Sequence, residues 1–486
     1  MDRETRAIID YFERINRIPR CSTHEARLGQ WLQQWAADRS LPYQADSAGN
    51  LVIQVPASSG YEHFPCIVIQ GHMDMVCEKN AGSDHDFATD PILMYEDGDW
   101  LMARETTLGA DNGIAIALAL ALVDNPKVRH PALELFFTVN EETGLTGVMQ
   151  MDPALLSGKI LINLDSEDEG VFVVGCSGGR NTAIQRPLAM QPLDDAYDLL
   201  HVTVRGMRGG HSGVDIAKGR ANANRVMARL LNSGGEKGPL RLVRLKGGTG
   251  RNVIPRACEA VIACRGEDTD RITKNIVETG EVIRSAYMNT DPGLCVQVDP
   301  MAPVESERPE KAVSQNDTQN LVDLLAALPS GPVGMNPNFP QLVQTSANLA
   351  MVEIRDGVLA VTSSQRSSDP DCLDAVCLTV ESVCRLAGAT AETNKGYPSW
   401  PMDGQSALLK RCQRIYRELF GSDATIQIMH AGLECGVIGD RCPGMDMISL
   451  GPTLENPHSP SERLHLPSVG KVWRLLVALL GSYAEG

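Results

Sequence analysis

The run Cys66-Ile67-Val68-Ile69-Gln70-Gly71-His72-Met73-Asp74 decides how this chain is read. Its first half is apolar without alternation, the mark of a strand covered on both faces. Its end carries His72 and Asp74, two residues apart, so in extended chain they point the same way. Leu133–Val139 and Ile160–Leu164 have the same apolar character, and Leu51–Val55 is a further strand. Between them lie helical stretches. Residues 5–18 put Ile8, Ile9, Phe12 and Ile15 on one face, Thr23-His24-Glu25 opens a second helix to about Asp38, and Ile114–Val123 reads as a buried Ala-rich helix. Apolar strands alternating with helices predict an α/β domain.

The character changes near residue 185. Beyond it come an alternating strand at 199–204, a helix at 219–232, strands at 240–245 and 257–264, and a long helix at 268–288, an α+β pattern that loosely repeats after 310. Pro329 to Pro340, rich in Pro, Gly and Asn, reads as an exposed loop. The α/β pattern resumes near 398 and runs to an apolar C-terminal helix. A chain of 486 residues exceeds one ordinary core. The expected layout is a mixed-sheet catalytic domain from 1–185 and 398–486, with an α+β lid domain, 186–397, inserted in it.

Composition narrows the function. Forty-four basic against 61 acidic residues give a net charge of −17, which excludes a nucleic-acid or anionic-membrane partner that needs a basic face. No signal peptide opens the sequence, and the longest apolar run is too short to span a bilayer. The 13 cysteines are scattered with no Cys-x-x-Cys pair, so neither a disulfide framework nor a thiolate zinc site is expected. These features point to the cytoplasm.

Four segment ends carry groups suited to metal: Gly71-His72-Met73-Asp74; Leu108-Gly109-Ala110-Asp111-Asn112-Gly113, just before the Ala-rich helix; Asn140-Glu141-Glu142-Thr143-Gly144; and Asp165-Ser166-Glu167. Taken singly each is weak, since a His after a strand, an Asp-Asn-Gly turn and paired surface glutamates are common. Ligands of open α/β sheets, however, gather beyond the carboxyl ends of strands, and two adjacent carboxylates closing an apolar strand call for a counter-charge. A fifth, distant piece is the Pro-clamped loop around His458 in Asn456-Pro457-His458-Ser459-Pro460. Two histidines with several carboxylates suit zinc, cobalt or manganese. No His-Glu-x-x-His, Gly-x-Ser-x-Gly, Walker loop or dinucleotide fingerprint is present.

These residues, in this order, resemble the aminoacylase/carboxypeptidase family of co-catalytic zinc peptidases, and within it the aminoacyl-histidine dipeptidase branch. The resemblance extends to Gly209-Gly210-His211-Ser212-Gly213, Asn252-Val253-Ile254-Pro255 and His430-Ala431-Gly432-Leu433-Glu434-Cys435-Gly436. It implies two divalent metal ions, zinc first with cobalt or manganese as alternatives, held by His72, Asp111, Glu142, Asp165 and His458, with Asp111 bridging. Asp74 would orient the His72 imidazole and Glu141 would be the general base. His211 would stabilise the oxyanion, reaching across a homodimer in some relatives. Arg366 would clamp the substrate carboxylate, Asn252 would line the pocket, and His430 and Glu434 would approach the site. The peptide bond after Asp111 would be cis. The implied activity is hydrolysis of small peptides, Xaa-His and other unblocked dipeptides. An N-acyl amino acid deacylase and a non-catalytic binding protein on the same fold are the alternatives. Two departures from the family pattern stand out: Glu105, where glycine is common, and Gln344-Thr345-Ser346-Ala347-Asn348.

Overall fold

The computed structural model describes residues 1–301, 309–337 and 339–485. The chain forms two compact units, one of Met1–Cys176, Trp400–Ile428 and Leu433–Gly486, the other of Ser177–Ser399 and Met429–Gly432.

The first unit is built on an eight-stranded sheet. Four neighbours at its centre, Leu133–Thr138, Ile67–His72, Ile160–Asn163 and Asp446–Ser449, lie in that order and run parallel. Their carboxyl ends therefore emerge along one edge. Tyr43–Ala45 and Leu51–Val55 continue the sheet on one side, and Val171–Cys176 and Thr425–Met429 on the other, with antiparallel pairings that make the sheet mixed. Every residue of Ile67–His72 and of Leu133–Thr138 is buried, as their unalternating apolarity requires. The helix Ala110–Asp124 is buried on all sides from Asn112 to Leu122 and packs against Arg3–Asn16 and the strand Ile67–His72. That packing is close enough to need Gly71, where an added Cβ would stand 2.7 Å from the Cβ of Ala115. A four-stranded sheet, Leu454–Glu455, Arg463–His465, Trp100–Ala103 and Met94–Asp97, joins the two chain ends of this unit.

The second unit holds a nine-stranded antiparallel sheet. The helices Ala223–Gly235, Gly266–Ala286, Gln315–Ala327 and Pro370–Leu386 belong to it, and its own apolar core gathers Val202, Leu231, Ile262, Ile276 and Leu325. The fold class is thus the expected one, an α/β mixed-sheet unit interrupted by an α+β unit.

Three details differ from the sequence reading. The expected boundary at 185 cuts through Gly178–Pro187, a strand paired along its whole length with Val358–Ser367 of the second unit; the ladder, not the change in composition, sets the break. Within 329–340, Gly331–Met335 is an edge strand on Val343–Arg355 with two register irregularities, a place where Pro332 is tolerated; residue 338 lies outside the described residues. Finally, Cys21 and Cys77 form a disulfide with a Cα–Cα distance of 5.7 Å. Cys21 pairs as a β-bridge with Met75, so a non-local contact brings together cysteines whose spacing shows no motif. No described helix is long and apolar enough to cross a membrane.

Thiol titration of the unfolded, unreduced protein should find 11 free cysteines, and peptide mapping should recover residues 21 and 77 in one cross-linked fragment. A count of 13 would refute the bridge.

Candidate metal centre

The carboxyl ends of the four parallel strands bring the metal-suited residues together. Met73 N–H donates to Thr138 O at 2.7 Å and Leu164 N–H to Gln70 O at 2.9 Å, which keeps three neighbouring strand ends level. Asn112 stitches two of them from the adjoining helix. Its Oδ1 accepts His72 N–H at 3.1 Å and its Nδ2 donates to Leu164 O at 2.8 Å. The preceding peptide bond, Asp111–Asn112, is cis. The fourth strand, Asp446–Ser449, leads into the loop that delivers His458, itself held at φ +59°, a backbone region that non-glycine residues adopt mainly where surrounding structure imposes it.

The resulting cluster is organised about Asp111. Its Oδ1 lies 3.0 Å from His72 Nε2 and its Oδ2 lies 3.2 Å from His458 Nε2. His72 Nε2 is also 3.5 Å from Asp165 Oδ1, and His458 Nε2 is 3.0 Å from Glu142 Oε2. Two ligand-competent lobes follow, His72–Asp111–Asp165 and Asp111–Glu142–His458, and a third grouping adds Glu141 to His72 and Glu142. Asp74 is fully buried and serves both lobes. It sits 3.3 Å from His72 Nδ1 and accepts the N–H groups of Glu141 and Glu142 at 3.0 and 3.1 Å and the Ser22 hydroxyl at 2.8 Å. It thereby fixes the imidazole with Nε2 toward the cluster, as metal histidines require.

The electrostatics describe a pocket short of positive charge. Burial drives Glu141 well above the usual carboxylate range; His72 opposes this, while Asp165, Glu142 and Glu434 add to it. Burial also raises Asp165 and Glu142. His458 is pushed up to about 11 by its hydrogen bonds with Asp111 and Glu142. Asp74 and Asp111 resist burial and stay low, Asp74 at about 2, because the imidazoles bond to them. Glu142 Oε1 is buried with no hydrogen-bond partner. An N/O donor set with surplus carboxylate and an orphaned carboxylate oxygen fits divalent cations.

The remaining candidates fall into two groups. Glu434, in the first unit, is fully buried. Its Oε2 accepts Thr138 Oγ1 at 2.7 Å and Gln70 Nε2, its Oε1 has no partner, and burial lifts it to about 7. His430 belongs to the second unit and is pinned between two hydroxyls, Ser177 Oγ at 2.8 Å and Ser346 Oγ at 2.7 Å. Burial, then the charges of Arg366 and His211, lower it to about 3. Arg366 is nearly buried, donates to Tyr397 Oη and lies 3.4 Å from Asn252 Oδ1, and its Nε has no partner. His211 Nδ1 accepts the N–H groups of Gly213 and Val214 at 3.3 and 3.1 Å, so the neutral ring carries its proton on Nε2; burial and Arg366 lower its pKa to about 4.

The first departure from the family pattern finds a place: Glu105 has φ +63°, a conformation that favours glycine. In the second stretch the differences fall at Gln344 and Ala347, while Ser346, which with Ser177 holds His430, keeps the family's residue. Sequence reading passed over Ser22, Tyr397 and Glu462, whose local sequences look like ordinary loop residues.

A family model described as Peptidase family M20/M25/M40 matches residues 68–482. The chain is 37% identical over 472 residues to the cytosol non-specific dipeptidase of Escherichia coli (strain K12), covering 97% of this chain and 96% of that one. The aminoacylhistidine dipeptidase of Vibrio alginolyticus superposes with a TM-score of 0.89 at 34% identity, over 98% of this chain and 96% of that chain. A tripeptidase from Staphylococcus aureus shares the fold, with a TM-score of 0.57 at 15% identity over 99% of both chains.

Because Asp111 is the residue that the two lobes share, Asp165→Ala should remove one zinc-binding step in calorimetry and leave the other, whereas Asp111→Ala should abolish or weaken both.

Proposed function

This chain belongs to peptidase family M20/M25/M40, and on that premise we propose that it hydrolyses dipeptides, Xaa-His among them, with two divalent metal ions, zinc first and cobalt or manganese as alternatives. The observation that carries the reading is the Asp111 carboxylate between two imidazoles, 3.0 Å from one and 3.2 Å from the other. His72, Asp165 and Asp111 would hold one ion, and Asp111, Glu142 and His458 the other. Bound there, such ions polarise a scissile carbonyl and make water a better acid.

The protein's own groups do the rest. Glu141 is the general base, grouped with His72 and Glu142 at the edge of the ligand cluster. It takes the water proton and passes it to the leaving amine. His211, neutral and carrying its proton on Nε2, donates to the oxyanion. Arg366 binds the free carboxylate of the substrate, its guanidinium oriented by Asn252 and Tyr397. A carboxylate clamp favours short, unblocked peptides. Asp74 positions His72 and the 141–142 turn. The same reading includes a cytoplasmic homodimer; the compartment rests on the likeness to a cytosol dipeptidase, and the dimer on the family resemblance.

Steady-state kinetics on a dipeptide panel, with an N-acetyl amino acid as the contrasting substrate, test the proposal. Zinc-loaded protein should cleave the dipeptides, and Glu141→Gln should lower kcat roughly 10²–10⁴-fold; turnover of the acetyl compound alone overturns the dipeptidase reading. Arg366→Lys should raise KM roughly 10–100-fold, the worth of a charged hydrogen bond, with a smaller change in kcat. An unchanged KM removes Arg366 from the carboxylate site.

A further inference from the structure

We infer that Glu462 is a positioning residue that sets Asp111 in place between the two lobes, an inference that rests on the reading of Asp111 as their shared metal ligand. Glu462 is almost fully buried. Its Oε2 accepts the N–H groups of Leu108 and Gly109 at 2.7 and 2.9 Å, and its Oε1 those of Ala110 and Asp111 at 2.8 and 3.3 Å. These are successive N–H groups of the turn that leads into the Ala-rich helix, where Asp111 and Asn112 depart from helical backbone angles and the turn needs partners from outside itself. The residue at the capping position is Gly109, which has no side chain to offer. A carboxylate from a segment some 350 residues away along the chain does that work instead.

The same turn is gripped from its carbonyl side. Arg20, also buried, donates to Gly109 O, to Met73 O at 3.1 Å and to Asp74 O at 3.0 Å. An anion holds the N–H groups of the turn and a cation holds a carbonyl, so the segment carrying Asp111 is fixed on both sides. Glu462 adds a constraint that Arg20 does not. It lies four residues beyond His458, in a turn closed by Glu462 N–H donating to Ser459 O at 3.0 Å. The segment that delivers His458 is therefore tied, through the Glu462 carboxylate, to the backbone that delivers Asp111, and the 3.2 Å spacing of these side chains is set from both ends. Glu462 itself belongs to neither ligand grouping. It acts through Asp111.

Glu462→Gln tests this in the full-length protein. The amide keeps the shape but turns an NH₂ group toward two backbone donors. Cobalt(II) alone is titrated into metal-free wild type, E462Q and E462D, followed by visible absorption, with circular dichroism and thermal melting of the metal-free proteins as the folding control. E462Q should bind cobalt roughly 10–100-fold more weakly, with an altered absorption spectrum at saturation, and should lose kcat more than KM. E462D, which keeps the charge on a shorter arm, should recover part of the affinity. Wild-type cobalt affinity and spectrum in folded E462Q overturn the inference and leave the metal reading intact. A wild type that binds no cobalt removes the metal reading and the inference with it. Failure of both variants to fold assigns Glu462 to the fold alone and overturns its role at Asp111.

Discussion

The constraint on which the first unit turns is the repulsion among buried carboxylates. Asp111, Glu141, Glu142 and Asp165 crowd around two imidazoles. Two like charges about 4 Å apart at an effective dielectric near 20 cost about 4 kcal/mol, so several together would spread the strand ends or take up protons. The unit accepts this crowding because its scaffold leaves little room to relax. The strands are bonded to one another up to their last residues, Asn112 ties two ends across, and Asp74 holds the 141–142 turn by both N–H groups. A rigid frame around mutually repelling acids amounts to a standing affinity for cations.

The second unit solves a different problem. Its polar cluster is poor in negative charge and rich in donors. Burial and the charge of Arg366 keep both imidazoles neutral, His430 between two hydroxyls and His211 accepting two backbone N–H groups. Keeping imidazoles uncharged beside a guanidinium leaves Arg366 as the main attraction for an anionic group. The residues four apart in His430-Ala431-Gly432-Leu433-Glu434 divide between the two environments, a neutral donor in one unit and a carboxylate in the other.

What the sequence made legible were features whose cause is local. A doubly covered strand shows as an unbroken apolar run, and the metal-suited groups at or soon after its end, His72, Glu142 and Asp165, could be picked out with Asp111 just before the Ala-rich helix and are found together. His458 was legible for its proline-clamped loop. Glu462 and Arg20 were not, because what makes them matter is the backbone they bond to across the fold. The Cys21–Cys77 bridge and the edge strand Gly331–Met335 were hidden for the same reason: each depends on a partner segment that no local pattern announces. The inner boundary was misplaced by a few residues because hydrogen-bond ladders cross composition changes freely.

The order of strands has a consequence for how the protein is made. Ile160–Asn163 and Val171–Cys176 are consecutive in the chain, yet Asp446–Ser449 lies between them in the sheet. A nascent chain that has just emitted Cys176 thus holds both flanks of a slot it cannot fill. At roughly 5–20 residues per second the ribosome needs tens of seconds to deliver the missing strand, while the whole second unit passes through the exit tunnel. During that wait two apolar strand edges stand open to any other strand. The same late segment then brings His458, so closing the sheet and bringing His458 to Asp111 become one event.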